Sequence, residues 1–66
     1  MMFKGKVKWY DETKGFGFIK SENGEDIFVH RTGLLDSYDV LQTDQEVIFE
    51  VKQGDKGLVA YDVKSA

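Results

Sequence analysis

The sequence predicts an all-β domain built as a five-stranded antiparallel Greek-key barrel. Helical periodicity is nearly absent, five segments carry strand signals, and a long link separates the third of these segments from the fourth. A meander of three strands, a crossing connection and a final hairpin together give this topology. Closing the sheet also removes the edges that a small flat sheet would expose. With 66 residues, the chain is predicted to be a single domain over residues 1–66 and a monomer.

The predicted strands cover residues 3–11, 14–20, 25–30, 45–52 and 57–64. Asn23-Gly24 predicts a type I′ turn between the second and third strands, because both residues tolerate positive φ. Residues 53–57 have the composition of a turn joining the last two strands. Residues 31–44 are too many for a tight turn and predict the crossing connection. Within that connection, Leu34, Tyr38 and Leu41 have the spacing of one helical turn at most.

Alternation assigns the side chains of each strand to two faces. In the second strand, Lys14, Phe16, Phe18 and Lys20 share one face, and Gly15, Gly17 and Ile19 share the other. In the third strand, Asp26, Phe28 and His30 share a face opposite Ile27 and Val29. The fourth strand places Val47, Phe49 and Val51 together, and the fifth places Val59, Tyr61 and Val63 together.

Phe16, Phe18 and Phe28 therefore lie on the same strand faces as charged residues. A phenylalanine is usually buried, but burying these three would also turn their charged neighbours inward, which is costly without partners. The aliphatic residues can form a core without them; the predicted core is Val7, Ile19, Ile27, Val29, Val47, Phe49, Val51 and Val63. We therefore expect Phe16, Phe18 and Phe28 to form an exposed aromatic patch, which usually marks a binding site.

Trp9 does not fit this pattern directly. Alternation with Val7 places Trp9 inside the barrel and Tyr10 outside. A bulge or a strong local twist is needed to place both Lys8 and Trp9 on the face of the aromatic patch. The sequence leaves both arrangements open.

The charge is unevenly distributed. The net charge of -3 argues by itself against a nucleic-acid partner. Residues 1–31, however, hold six basic and five acidic side chains, whereas residues 32–66 hold three and seven. The first half also holds most of the aromatic residues. A locally positive aromatic surface and an ordinary solvated mixed-charge surface are both compatible with this distribution.

Exposed rings interleaved with lysines suit a single-stranded nucleic acid. Unpaired bases stack on aromatic rings, and lysines neutralise the phosphates. The main alternative is a small β-barrel protein-interaction module whose aromatic patch docks a peptide or a subunit. Sugar binding is a third possibility for such a barrel.

Other classes of function lack support in the sequence. There is no cysteine, which excludes disulfides and thiolate metal sites, and the single histidine, His30, cannot form a histidine-based metal site or a triad. The sequence shows no phosphate loop, no nucleophile–base pairing and no metal cluster, so we predict no enzyme, cofactor, metal or small-molecule substrate. Apolar runs such as residues 47–49 are too short for a membrane span, and residues 1–6 lack a signal-peptide core. A soluble, cytoplasmic protein is predicted.

Two runs of residues, 14–19 (KGFGFI) and 27–30 (IFVH), resemble the two ribonucleoprotein-type motifs of the bacterial cold-shock protein family. Residues 5–10 (GKVKWY) are similar to the first strand of that family, and the similarity extends from about residue 3 to residue 64. The resemblance implies an OB-fold barrel that binds single-stranded RNA and DNA with low sequence preference. It also implies an RNA chaperone and a regulator of transcription and translation, often in adaptation to cold.

The resemblance also implies a set of residues that contact the strand. Those at matching positions are Lys8, Trp9, Lys14, Phe16, Phe18, Phe28, His30, Tyr38 and Lys56. Arg31 stands where the family usually has an aromatic residue, so it either stacks on a base through its guanidinium plane or is a solvated surface charge. Asp11 replaces a usual asparagine and adds a negative charge beside the site.

Overall fold

The computed structural model describes residues 2–35, 41–55 and 57–66. Its strands are β1 (Phe3–Asp11), β2 (Phe16–Ser21), β3 (Asp26–His30), β4 (Glu46–Gly54) and β5 (Gly57–Ser65). A short 3-10 helix, Arg31–Gly33, follows β3. The five predicted strands are therefore confirmed, with most ends moved by one or two residues. No helix in the described parts of the chain is long and apolar enough to cross a membrane.

The strands form one closed barrel in the order β1-β2-β3-β5-β4, and β4 pairs back onto β1. Four of the strand pairs are antiparallel. The fifth, between β3 and β5, is short and parallel, and it joins Phe28 to Val59 and Val29 to Ala60. After β3 the chain crosses over, so that β4 pairs with β1 and β5 pairs with β4. The pairing of β5 with β3 then closes the barrel. The predicted Greek-key barrel is confirmed.

Among the described residues, the interior holds aliphatic side chains and one phenylalanine. The buried hydrophobic residues are Val7, Ile19, Ile27, Val29, Leu34, Leu41, Val47, Phe49, Ala60 and Val63. Seven of the eight predicted core residues are among them, whereas Val51 is only partly buried at the edge of the core. The aromatic residues of β2 and β3 do not belong to this core, which leaves them on the outside of the barrel.

The sequence placed Val59, Tyr61 and Val63 on one face of β5, and this was wrong for Val59 and Tyr61, which are only partly buried. Asp62 has a positive φ of 53°, and the β4–β5 register shifts between Ile48 and Glu50. This irregularity reverses the alternation, so Ala60 and Val63 both point inward while Tyr61 is only partly buried. A period-two pattern cannot reveal such a reversal.

The hairpin between β2 and β3 also differs from its prediction. The Gly24 N–H donates to the Ser21 carbonyl at 2.9 Å, and the Ser21 N–H donates to the Glu25 carbonyl at 2.9 Å. Gly24 has a φ of 89°, but Asn23 does not have a positive φ. The predicted type I′ turn is therefore wrong, and the connection is a three-residue loop whose left-handed position is Gly24. The Asn23 side chain instead accepts from the Ser21 hydroxyl and from the Glu25 N–H.

Candidate nucleic-acid interface

Four aromatic rings form a continuous surface across β1, β2 and β3, which we call the aromatic platform (Trp9, Phe16, Phe18 and Phe28). The Trp9 ring centroid lies 5.7 Å from that of Phe16 and 5.6 Å from that of Phe18. The Phe28 centroid lies 5.9 Å from Phe16 and 5.8 Å from Phe18. These separations fall within the range of favourable ring contacts. Each ring is thus held in place by at least two others.

The platform lies outside a core that is complete without it. Gly15, Gly17 and Ile19 are buried, and the residues that alternate with them in β2 are half-buried or exposed. The same holds for β3, where Ile27 and Val29 are buried. The predicted placement of Phe16, Phe18 and Phe28 on the outer face is confirmed. They are half-buried rather than fully exposed because the rings cover one another's edges.

Trp9 reaches the platform through a bulge in β1. Val7 pairs with Ile19, but Trp9 pairs with Phe18, so two steps along β1 correspond to one step along β2. Lys8 is the extra residue and, like Trp9, points outward. Simple alternation would place Trp9 inside, and the sequence left that arrangement and a bulge both open; the structure has the bulge, with Trp9 39% exposed and Tyr10 packed against the core.

Gly17 allows β1 to lie this close to β2. A Cβ atom built at Gly17 would overlap the Trp9 carbonyl oxygen and would lie 2.7 Å from the Tyr10 Cα. Such contacts are too short for any side chain without a shift of the backbone. A glycine is therefore needed at position 17, where the bulged part of β1 pairs closely with β2.

Lys8 and Asp26 form an ion pair at the rim of the platform. The Lys8 Nζ lies 3.2 Å from the Asp26 Oδ2, and both side chains are about half exposed. Sequence reasoning predicted Lys8 as a contact to the strand but missed Asp26. The signal was present, because Asp26 shares its face of β3 with Phe28. The predicted cation is therefore already paired with a carboxylate in the free protein.

Lys14 lies in a turn rather than in a strand. Residues 12–15 form the turn before β2, and Gly15 has a φ of 77°. The Asp11 carboxylate accepts hydrogen bonds from the backbone N–H groups of Thr13 and Lys14, at 3.0 and 3.1 Å. This leaves the Lys14 side chain exposed beside Phe16, the first residue of β2. Asp11, predicted only as an unfavourable charge, thus also orders the turn.

The His30 ring is held by the residue two positions later. Its Nδ1 accepts a hydrogen bond from the Thr32 N–H at 3.2 Å and lies 3.0 Å from the Thr32 hydroxyl. An N–H group can only donate, so Nδ1 carries no proton and the neutral ring has its proton on Nε2. His30 stands opposite Phe16 in the β2–β3 ladder. It therefore presents an N–H donor at the margin of the platform.

Arg31 begins the 3-10 helix at the same margin. Its backbone N–H donates to the Gly15 carbonyl at 2.8 Å, and its side chain passes over Gly15, where a Cβ atom would lie 3.0 Å from the Arg31 Cδ. Burial raises the pKa of the nearby Tyr10 hydroxyl, an effect that the Arg31 charge opposes and the Glu12 charge reinforces. Arg31 is exposed, so its guanidinium is accessible to a ligand.

Two predicted contact residues, Tyr38 and Lys56, lie outside the described residues. The structure thus brings together Lys8, Trp9, Phe16, Phe18 and Phe28, with Lys14, His30 and Arg31 around them. The result is a surface of rings bordered by cations, suited chemically to flat apolar groups carried on an anionic chain.

Comparison with known proteins agrees with this geometry. The family model described as the 'Cold-shock' DNA-binding domain matches residues 3–66. The chain is 49% identical over 63 residues to the cold shock protein CspD of Bacillus subtilis, covering 94% of this chain and 96% of that protein. It is 46% identical over 66 residues to the cold shock protein CspC of the same organism, covering 98% and 100%.

A solved structure extends the comparison to the fold. The structure titled drosophila Unr CSD456 superposes with a TM-score of 0.82 at 30% identity. The match covers all of this chain but only 27% of the Drosophila chain. The barrel is thus an OB-fold of the cold-shock type. The chain belongs to the cold-shock domain family, whose members are nucleic-acid-binding proteins and not enzymes.

Proposed function

We propose that this protein binds single-stranded RNA and DNA with low sequence specificity by stacking unpaired bases on the aromatic platform. One observation carries the proposal: four rings, 5.6 to 5.9 Å apart from their neighbours, lie outside a barrel whose core is already filled. Stacking on a ring contributes about 1–3 kcal/mol per base and accepts every base, because each has a π face. Bases in a duplex are already stacked on one another, so the platform selects unpaired strands.

The cations around the rings bind the phosphates of the same strand. Lys8, Lys14 and Arg31 neutralise phosphates of the bound strand and release counterions. His30 stacks on a base or donates its Nε2–H to an acceptor on the strand. The resemblance to cold-shock proteins adds Tyr38 and Lys56 to this set.

The cellular role follows from weak, unspecific binding to unpaired strands. A protein that occupies single-stranded RNA opposes its refolding, which is the action of an RNA chaperone and a means of regulating transcription and translation in the cold. We infer that the chain acts in the cytoplasm as a monomer and that residues 1–66 form one cold-shock domain.

Trp9 supplies the direct test, because it is the only tryptophan and lies within the platform. Its fluorescence, titrated with a short oligothymidylate, is expected to be quenched to saturation, and a duplex of the same length is expected to have little effect. Affinity should fall steeply as salt is raised. Salt-independent binding of a peptide, with no response to oligonucleotides, would instead support the protein-interaction module.

A further inference from the structure

The outer face of β1 and β2 continues beyond the aromatic platform as a strip of lysines. Lys6 pairs directly with Lys20 in the β1–β2 ladder, and both are exposed. Lys20 lies two residues beyond Phe18 on the same face, a distance of about 7 Å along the strand. The strip therefore begins where the rings end.

Lys6 and Lys20 stand directly opposite each other, and each also has an acidic residue opposite it on its other neighbouring strand. Residues directly opposite each other in an antiparallel pair have Cβ atoms about 5 Å apart, and like charges there are destabilising. Asp26 is the cross-strand neighbour of Lys20, but its carboxylate is bonded to Lys8. Glu46 is the cross-strand neighbour of Lys6 on β4. Within the described parts of the chain, neither ammonium has an ion-pair partner.

A groove of about 370 Å³ lies at this position. Lys4, Lys6 and Lys20 contribute to its wall, together with two carboxylates, Glu22 and Glu46. The groove is open to solvent, and its lining holds three lysines against two glutamates, whereas the protein as a whole has a net charge of -3. It has the position and the charge to hold an anionic chain that leaves the platform in this direction.

We propose that Lys6 and Lys20, with Lys4 beside them, form a phosphate-binding extension of the site. It takes the phosphodiester backbone of the same strand whose bases stack on the platform, and so it rests on the function proposed above. The extension consists of lysines and offers no ring for a base to stack on, so it contributes to binding through charge alone. A phosphate bound between them interacts with both ammonium groups at once.

The experiment combines oligonucleotide length with removal of single charges. Oligothymidylates of about 4 to 12 nucleotides span the site sizes of OB-folds. Trp9 fluorescence measures their affinity for the wild type, Lys6→Gln, Lys20→Gln and the double variant over a range of salt. Lys64→Gln is the matched control, because Lys64 is an exposed lysine on β5, separated from β1 by β4.

The proposal predicts a length-dependent defect. The shortest oligonucleotide should bind Lys6→Gln and Lys20→Gln as it binds Lys64→Gln. The longest should bind them more weakly, with the salt slope reduced by about 0.7 for each lysine removed. The stoichiometry should stay at one strand per protein, and the thermal midpoint of the variants should stay close to that of Lys64→Gln, because Lys6 and Lys20 are exposed.

Two results would overturn the extension while leaving base stacking intact. One is an affinity for the longest strand that equals that of Lys64→Gln. The other is a defect of equal size at every length, which would reflect the general field of the protein rather than a contact. Failure of the wild type to bind the shortest oligonucleotide would instead overturn the base-stacking function itself.

Discussion

The backbone of Gly17 on β2 lies so close to the Trp9 carbonyl group on β1 that no side chain fits at Gly17. A Cβ atom at Gly17 would overlap the Trp9 carbonyl oxygen. The bulge that turns Trp9 toward the platform thus depends on a glycine in the neighbouring strand, which links the stability of the barrel to the geometry of the site.

Gly17→Ala is therefore expected to lower the free energy of unfolding by about 1–3 kcal/mol, as inserted atoms do in well-packed regions. It should also change the Trp9 emission of the folded protein, because the strand carrying Trp9 must move. Gly24→Ala is the comparison: nothing lies within 4 Å of a Cβ there, although its φ is +89°. It should cost stability without altering Trp9. A Gly17→Ala variant with wild-type stability and emission would contradict the close approach.

Phenylalanines inside and outside the barrel should respond differently to truncation. Phe16→Ala or Phe28→Ala is expected to weaken oligonucleotide binding by about 1–3 kcal/mol, with a smaller loss of stability. Phe49, which is fully buried, is the control; Phe49→Ala should cost about 3–5 kcal/mol of folding free energy. Denaturant unfolding and fluorescence titration separate the two effects. Loss of folding in all three variants, without a separable binding defect, would show that the platform is structural.

Breaking the ion pair between Lys8 and Asp26 is expected to strengthen binding rather than weaken it. Asp26→Asn removes a negative charge from the rim and frees Lys8 for a phosphate. Exposed pairs contribute about 0.2–1 kcal/mol, so stability should hardly change and affinity should rise by no more than about fivefold. The titration at low salt measures this gain. Weaker binding would mean that the Asp26 carboxylate itself contacts the strand.

Arg31 can be tested by separating its charge from its planar shape. Arg31→Gln is expected to weaken binding and to reduce the salt slope by about 0.7, the value for one phosphate contact on a single strand. Arg31→Phe should lose the same salt dependence but retain more affinity if the side chain stacks on a base. Wild-type affinity and slope in both variants would identify Arg31 as a solvated surface charge.

The raised pKa of Tyr10 implies that the free energy of unfolding falls at high pH. Burial raises the pKa of its hydroxyl above the ordinary value of 10.0. The folded state therefore holds this proton more tightly than the unfolded state, so the stabilisation is complete below the ordinary pKa and is lost as pH rises through the raised one. The free energy of unfolding should decline from about pH 10 upward. Tyr10→Phe should show a smaller decline in the same denaturant series, and an equal decline would contradict the assignment.

The sequence alone determined the barrel, most of its core and the outward face of Phe16, Phe18 and Phe28. It could do so because side-chain direction alternates with a period of two, a local property that the order of apolar and charged residues reveals. The resemblance to cold-shock proteins supplied Trp9 as a contact to the strand, whereas alternation left its face open.

Only the tertiary structure decided where that alternation fails and which charges are paired. The bulge at Lys8 and the left-handed Asp62 depend on how neighbouring strands align, and a single strand does not encode its own register. The bond between Lys8 and Asp26 and the opposition of Lys6 and Lys20 join residues 18 and 14 positions apart. Such pairs exist only once the sheet has closed, since the closed ladder fixes which side chains become neighbours.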